Sequence, residues 1–246
     1  MIDDICIILW KEWKEFLLQR GSSRKTMLIS ALLPVILLGV VIPWRAGAAY
    51  VNNMVALVVP GLMPLLFVLM LVADSFAGER ERHTLETLLA TRLSDQVILL
   101  GKIAAAVLYA WAVLVSTLAL ALLGINIVYG HGELIMFPMS RLIPTLVYDF
   151  LLAVLLSCIG VFVSLRASTV RQAMQTMNLG FMLIVWGGFF GFQALPTEWH
   201  GVLLNVLAGK NLLRSEIIVG IILIVADALL LLASHARFRR ARLILD

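Results

Sequence analysis

Charged side chains are scarce in this protein. They make up 14% of its 246 residues, whereas hydrophobic residues make up 62%. A soluble domain of this length carries roughly a quarter charged residues, so the chain has too little polar surface to cover a globule in water. The excess apolar surface must face lipid, and the composition therefore excludes a soluble globular domain.

Cysteine is scarce as well. The two cysteines, Cys6 and Cys158, lie far apart in different kinds of segment, so the sequence predicts neither a disulfide framework nor a metal-binding pair. The first residues, Met1 to Asp4, are acidic where a cleavable signal peptide would be basic. We therefore expect no such leader.

Motifs for nucleotide binding and catalysis are missing. Gly101-Lys102 and Gly209-Lys210 fail the spacing of a phosphate-binding loop, because Gln96 and Leu204 stand where that loop needs glycine. The four histidines lie in separate segments, so the paired ligands of an intramembrane metalloprotease are not formed. We expect no enzyme activity, no metal and no cofactor on this chain.

Six long apolar stretches dominate the sequence. Crossing the hydrocarbon core takes about 20 apolar residues at roughly 1.5 Å each. The pattern predicts an all-α integral membrane protein, a single transmembrane domain over 1–246. Its spans lie at about 27–44, 54–73, 103–123, 142–165, 177–195 and 215–234.

Positive charges fall on one side of these spans. Only four of the 19 lysines and arginines, namely Arg45, Arg141, Lys210 and Arg214, lie in the segments of the other side. Lys and Arg concentrate in cytoplasmic loops. We therefore predict a multi-pass protein of the plasma (inner) membrane with both termini in the cytoplasm.

An amphipathic segment precedes the first span. Apolar residues recur at helical spacing from Ile2 to Leu17, with charged residues mostly on the other faces. The pattern predicts a helix in the cytoplasmic interface within residues 1–25, in contact with membrane lipid. Its candidate functional residues are Lys11, Glu12 and Trp13, and a lipid-surface anchor without further role is the alternative.

The longest polar run lies between the second and third spans, at 78–101. Within it Leu85, Leu88 and Leu89 form an apolar stripe at helical spacing, and Ser94 is a candidate cap for the third span. A short helix of this kind is either a docking element for a partner or a solvated helix on the lipid headgroups. Periodicity alone leaves both readings open.

The run from Gly78 to Thr91 resembles the cytoplasmic signature of permeases of the ABC-2 transporter class, closest to its short export-type bacterial and archaeal subgroup. Lys11-Glu12 is similar to the Lys-Glu pair of that family's first helix. Gly160–Ser164 and Arg237–Arg240 are similar to the end of its fourth span and to its basic tail. With six spans and both termini inside, the likeness covers essentially the whole chain.

This resemblance implies a transporter subunit. Such permeases pair with a second copy or a homologous permease, and each half receives a separate ATP-binding subunit that carries ATP and magnesium. No nucleic acid is involved. The resemblance places the loop helix in a groove of the ATP-binding subunit, with the leucines buried there and a polar rim around them. The coupling residues are then Glu79, Arg80, Arg82, Thr84, Leu85, Glu86, Leu88 and Leu89.

Two residues depart from the family pattern. His83 stands where the family usually has glycine, and Arg92 where it usually has proline. Because both usual residues end helices, their replacement predicts that the helix continues further here than in relatives.

Two other functions compete with this interpretation. A channel or secondary transporter would favour several polar residues at mid-membrane depth or an internal repeat, but only Asp149 and Asp227 lie inside spans and no repeat is visible. A membrane anchor that recruits an ATPase for assembly or mechanical work, without transport, stays open.

Two features of the later spans point to packing. Gly180, Gly187 and Gly191 share one face of the fifth span, which fits close helix contact with a second copy or with another span of the same chain. Asp227 lies in the sixth span, where a carboxylate costs about 2.5–3.5 kcal/mol on insertion scales. It must pair with a donor or be protonated, and it either locks helices together or takes part in moving substrate.

Overall fold

The computed structural model describes residues 2–18, 32–53, 55–84, 92–196 and 212–237. This part of the chain is helical and contains no strand. The helices are α1 (Ile2–Leu18), α2 (Leu32–Asn52), α3 (Val55–Glu81), α4 (Asp95–Tyr129), α5 (Met139–Arg166), α6 (Val170–Ala194) and α7 (Leu212–Arg237). The last six are long and apolar enough to cross a membrane. The predicted all-α membrane fold with six spans is therefore confirmed.

Helix α2 is irregular. It contains a π segment at Leu37–Val41, an α segment at Ile42–Ala46 and a 3-10 turn at Gly47–Asn52. The 3-10 turn contacts the first turns of α3, near Pro60. Pro60 has no N–H to donate to Ala56 O, and the hydroxyl of Tyr50 donates to that carbonyl instead, at 3.2 Å.

Helix α3 is the centre of the bundle. It packs against α4, α5 and α6, while α1 and α2 pack against α4 and α7 packs mainly against α5. One apolar core lies around Phe76, Ile98 and Val161, at the end of the bundle where α1 packs, hereafter the α1 end. A smaller core at the opposite end surrounds Leu114 and Phe137.

Two glycines let helices approach closely. A Cβ atom on Gly101 of α4 would lie 2.8 Å from the Ile8 side chain of α1, and one on Gly160 of α5 would lie 2.8 Å from the Val72 side chain of α3. These separations are below any normal carbon–carbon contact. Because glycine has no side chain, α1 packs closely against α4 at Gly101 and α5 packs closely against α3 at Gly160.

The helices run further than the apolar stretches that predicted them. Helix α3 continues to Glu81, and α4 already begins at Asp95, so both ends of the predicted loop 78–101 are helical. Ser94 Oγ accepts the N–H of Val97 at 3.3 Å, which confirms the predicted cap. Polar residues can extend these helices because their side chains form hydrogen bonds and ion pairs with neighbouring helices instead of facing lipid.

Candidate functional site

Helix α3 ends in a sharp turn. The N–H of His83 donates to Arg80 O at 3.1 Å, and the N–H of Thr84 donates to Glu79 O at 2.9 Å. His83 itself has φ +56°, in the left-handed region. This pair of crossed bonds is the Schellman motif, whose left-handed position is usually glycine.

The predicted continuation of this helix is therefore wrong at His83, whereas the stretch 85–91 that leads to Arg92 lies outside the described residues. The helix ends at Glu81 although histidine replaces the usual glycine. The crossed hydrogen bonds and the side-chain contacts of Glu79 and Arg80 outweigh the roughly 1–2 kcal/mol that a left-handed conformation costs an L-residue.

Replacing His83 by glycine should stabilise the protein. Glycine removes the left-handed penalty but adds freedom to the unfolded chain, so we expect a net gain of about 0.5–1 kcal/mol in the free energy of unfolding. Thermal unfolding of the purified protein in detergent measures it. His83→Ala is the matched control, since it removes the imidazole and keeps the strain. An equal gain in both variants would contradict the backbone explanation.

Glu79 lies at the centre of a buried charged cluster. Lys11 Nζ of α1 donates to Glu79 Oε1 at 2.9 Å, and Lys102 Nζ of α4 lies 3.6 Å from the same oxygen. The Thr84 hydroxyl donates to Glu79 Oε2. Only 5% of the Glu79 side chain is exposed. One carboxylate thus connects α1, α3, α4 and the start of the following loop.

Lys102 is the second buried member of this cluster. Its ammonium group donates to Glu12 Oε1 and to Ser75 O, each at 2.7 Å, and it lies 5.2 Å from the centre of the Phe76 ring. Its side chain is 2% exposed. Lys11, Glu12, Glu79 and Lys102 are called the charged junction below. Sequence reasoning counted Lys102 only as a loop charge and missed this role.

Trp13 fixes α1 beside the charged junction. Its indole N–H donates to Ala105 O of α4 at 2.8 Å, and its ring meets Tyr109 edge to face at 6.4 Å between centroids. The three residues predicted as functional in α1 therefore all contact the bundle. Lys11 reaches α3, whereas Glu12 and Trp13 reach α4.

The charged junction keeps Lys11 protonated. Burial acts to lower the pKa of Lys11, but the hydrogen bond and the negative charge of Glu79 outweigh it and raise the pKa above the ordinary value. Carboxylate oxygens of Glu12, Glu15 and Glu79 approach within 4.8 Å of one another. The ammonium groups of Lys11 and Lys102 supply positive charge next to these oxygens.

The two residues after Glu79 bind the ends of other helices. Arg80 donates to Leu165 O and Ala167 O at the end of α5, both at 2.9 Å. Glu81 Oε2 accepts the N–H of Val170 at the start of α6, at 3.0 Å. A cation at a helix C-terminus and an anion at an N-terminus both suit the helix dipole. These contacts tie α5 and α6 to α3.

Arg82 and Ser164 make two further contacts near the end of α3. Arg82 binds Asp74 of its own helix at 2.7 and 2.8 Å, but both side chains are more than a third exposed, so the pair stabilises little. The Ser164 hydroxyl of α5 accepts the N–H groups of Phe76 and Ala77, at 3.2 and 3.0 Å. Ser164 is the last residue of the run that resembles the family's fourth span.

The polar rim predicted around the leucine stripe differs in this structure. The predicted rim consists of Glu79, Arg80, Arg82 and Glu86. Glu79 and Arg80 turn toward helices of their own chain, because buried partners are available there, whereas Arg82 is exposed. Thr84 bonds to Glu79. Leu85, Glu86, Leu88 and Leu89 lie outside the described residues, and their coupling role stays a prediction.

The family model for the ABC-2 type transporter matches residues 3–207, which span the charged junction and helices α1 to α6. The chain belongs to the ABC-2 type transporter family. It is also 26% identical over 186 residues to the ABC transporter permease protein NatB of Bacillus subtilis (strain 168). That alignment covers 74% of this chain and 42% of NatB, so the chain matches about two-fifths of its relative's length.

Family membership confirms the resemblance read from Gly78 to Thr91. With six helices long and apolar enough to cross a membrane, it identifies the chain as a multi-pass membrane protein of the ABC-2 type transporter family. The family is one of transporters, not of enzymes.

The glycines of α6 have no neighbour within the described part of this ABC-2 permease. A Cβ atom on Gly180, Gly187 or Gly191 would meet no atom within 4 Å. Among the described residues, therefore, no other span of the same chain packs against these glycines. Trp186, Phe189 and Phe190 on the same helix are about half exposed. Trp186 stacks on Phe190, and Phe189 meets both rings edge to face.

Asp227 is buried in α7, and neither of its carboxylate oxygens has a hydrogen-bond partner among the described residues. The expected pairing with a donor is therefore not formed in this part of the permease. Asp149 in α5 is equally buried and likewise has one oxygen, Oδ2, without a partner.

Proposed function

We propose that this ABC-2 permease is the membrane half of an exporter that works with a separate ATP-binding subunit. That subunit binds ATP and magnesium on the cytoplasmic side, where both termini of this chain lie. The permease pairs with a second copy or with a homologous permease to form the translocation path. Exposed apolar faces of α6 and α7 contact lipid.

The charged junction is the observation that carries the proposal. The loop that would meet the partner begins at Thr84, whose N–H and hydroxyl both bond to Glu79. A pull on the loop therefore acts first on Glu79 and, through Lys11 and Lys102, on α1 and α4.

Arg80 and Glu81 extend the same connection to α5 and α6. Ion pairs and hydrogen bonds to buried groups hold their geometry more firmly than exposed pairs do. Movement of one short loop is thereby distributed over four helices of the bundle. This arrangement suits a subunit whose spans are driven from the cytoplasmic side.

The open glycine face of α6 supports self-association. Small residues let helix backbones approach and gain dispersion contact in lipid. Gly187 and Gly191 are spaced four apart and have nothing in front of them among the described residues. We place the contact between two permeases on this face.

Co-expression with the ATP-binding subunit of the same transporter should yield a complex of two permeases and two ATP-binding subunits, measured by native mass spectrometry. Replacing Gly187 and Gly191 together by leucine should shift it to one permease with one ATP-binding subunit, because the added side chains separate the helices.

Gly124→Leu is the control for this change, since Gly124 of α4 also has nothing within 4 Å of its Cβ position. It should leave the complex intact. A double glycine variant that retains the four-subunit mass would rule out the α6 seam. A permease that binds no ATP-binding subunit at all would overturn the proposed function itself.

A further inference from the structure

Buried polar atoms without partners concentrate on two helices. Among the described residues, the buried side-chain oxygens that lack a hydrogen-bond partner include those of Ser157 and Asp227 and the Oδ2 atom of Asp149. All of these residues belong to α5 or α7, which pack against each other. In lipid, polar groups of this kind mark water-filled or ion-conducting positions.

Asp149 lies at membrane depth in the contact between α5 and α3. It is 5% exposed, and its Oδ1 atom would lie 3.6 Å from a Cβ atom on Gly61 of α3. It is ten residues from the start of α5 and seventeen from its end. At 1.5 Å per residue these are about 15 and 25 Å, which places the carboxyl group within a hydrocarbon core of roughly 30 Å.

Asp227 lies on the other side of α5, in α7. It is 5% exposed and within electrostatic range of Cys158. It is fifteen residues from the start of α7 and ten from its end, or about 22 and 15 Å along the helix. The two carboxyl groups therefore lie at different depths on opposite sides of one helix.

Among the described residues, no salt bridge involves Asp149 or Asp227. The uncharged thiol of Cys158 faces Asp227, and the Tyr148 ring of α5 faces Gly220 of α7. Apart from Asp149 and Asp227 themselves, the charged residues of α5 and of the helices that pack around it lie near helix ends. They are Asp74, Glu79, Arg80 and Glu81 of α3, Asp95 and Lys102 of α4, Arg141 and Arg166 of α5, Arg171 of α6, and Arg214, Glu216 and Arg237 of α7.

Among the described residues, neither position offers an ionised carboxylate a hydrogen-bond donor or a cation to stabilise it. Transfer of a charge into an apolar medium costs several kcal/mol even after relaxation, and the group commonly neutralises instead. A protonated carboxyl group carries no net charge, so it avoids most of that cost. We propose that Asp149 and Asp227 are two proton-binding sites of this permease, and that each carries a proton in this conformation.

Movement of α5 would release these protons. If α5 shifts against α3 or α7 and water reaches a carboxyl group, its O–H bond breaks, the proton passes to water and the carboxylate stays on the protein. The return movement takes the proton back. Proton exchange of this kind goes beyond the proposed coupling to an ATP-binding subunit, and it is measurable on the permease alone.

Infrared spectroscopy of the full chain in lipid nanodiscs at neutral pH tests the proposal, with difference spectra taken between the wild type and each variant. The wild type should show the carbonyl stretch of protonated carboxylic acid. Asp149→Asn and Asp227→Asn should each remove about half of that signal, and the double variant nearly all of it, since each site holds one proton. Glu133→Gln, an exposed acid in the loop before α5, should remove none.

Two outcomes would overturn the proposal. One is the absence of a protonated-acid band in the wild type, and the other is a band that survives in the double variant. Asp149→Glu and Asp227→Glu provide a second test if the Asn variants fold poorly, because they should shift the band and keep its intensity. A band that neither glutamate variant shifts would also refute the assignment.

Discussion

Replacing Lys102 by methionine should lower the free energy of unfolding by about 3–5 kcal/mol. Methionine keeps most of the side-chain volume, but it takes from Glu12 the ammonium group at 2.7 Å and from Glu79 one of its two lysines. Both carboxylates stay buried and keep their desolvation cost without the matching attraction. Unfolding of the purified permease by heat or by denaturing detergent measures the loss.

Arg82→Met is the matched control for Lys102→Met. The Arg82–Asp74 pair has similar distances, but its side chains are 40% and 36% exposed. Exposed pairs contribute about 0–1 kcal/mol, so this control should cost little. Adding Glu12→Leu to Lys102→Met should recover part of the loss, because it removes one uncompensated charge. Equal losses in the two single variants would contradict a buried junction.

Composition was enough to predict the spans of this permease, because a long apolar run needs no partner to be recognised. Their ends were less accurate. Helix α4 extends from Asp95 to Tyr129 rather than over 103–123. Its first turns carry polar residues that hydropathy assigns to a loop, but their partners, such as Glu12 for Lys102, come from a helix 90 residues away in sequence.

The family resemblance selected Lys11, Glu12 and Glu79 without showing that they meet. The structure places all three around Lys102, which the sequence analysis used only to orient the spans. A signal was present, since Lys102 is a single cation within an apolar run from Val97 to Val107. A charge in such a run needs a partner, but the sequence alone does not say which segment supplies it.

The departure at His83 led to a wrong prediction for a physical reason. Residue propensity describes the conformational free-energy cost of a single residue. On that basis alone, the loss of glycine at this position predicted a longer helix. The turn is instead determined by the hydrogen bonds from His83 and Thr84 and by the contacts of Glu79 and Arg80 with other helices. Several tertiary contacts outweigh a penalty of roughly 1–2 kcal/mol.

Replacing Leu85 or Leu88 by aspartate should release the ATP-binding subunit from the permease. Burying one leucine at an interface is worth roughly 1.5–3 kcal/mol, which corresponds to about ten- to a hundred-fold in affinity. An aspartate also introduces a charge that the interface must desolvate. The loss of partner should therefore be nearly complete in detergent-purified complexes, measured as the ratio of the two subunits after co-purification.

Thr87→Asp is the matched control, because helical spacing places Thr87 opposite the stripe of Leu85, Leu88 and Leu89. It adds the same charge and should leave the partner bound.

Glu86→Lys should reduce the coupling of ATP hydrolysis to transport more than it reduces assembly, since charges set orientation more than affinity. The yield of permease should be unchanged in all of these variants, because the described contacts that hold the charged junction together involve none of the substituted residues. If the leucine variants retain both the partner and ATP hydrolysis, the loop after α3 is not the docking element, and the charged junction has only a structural role.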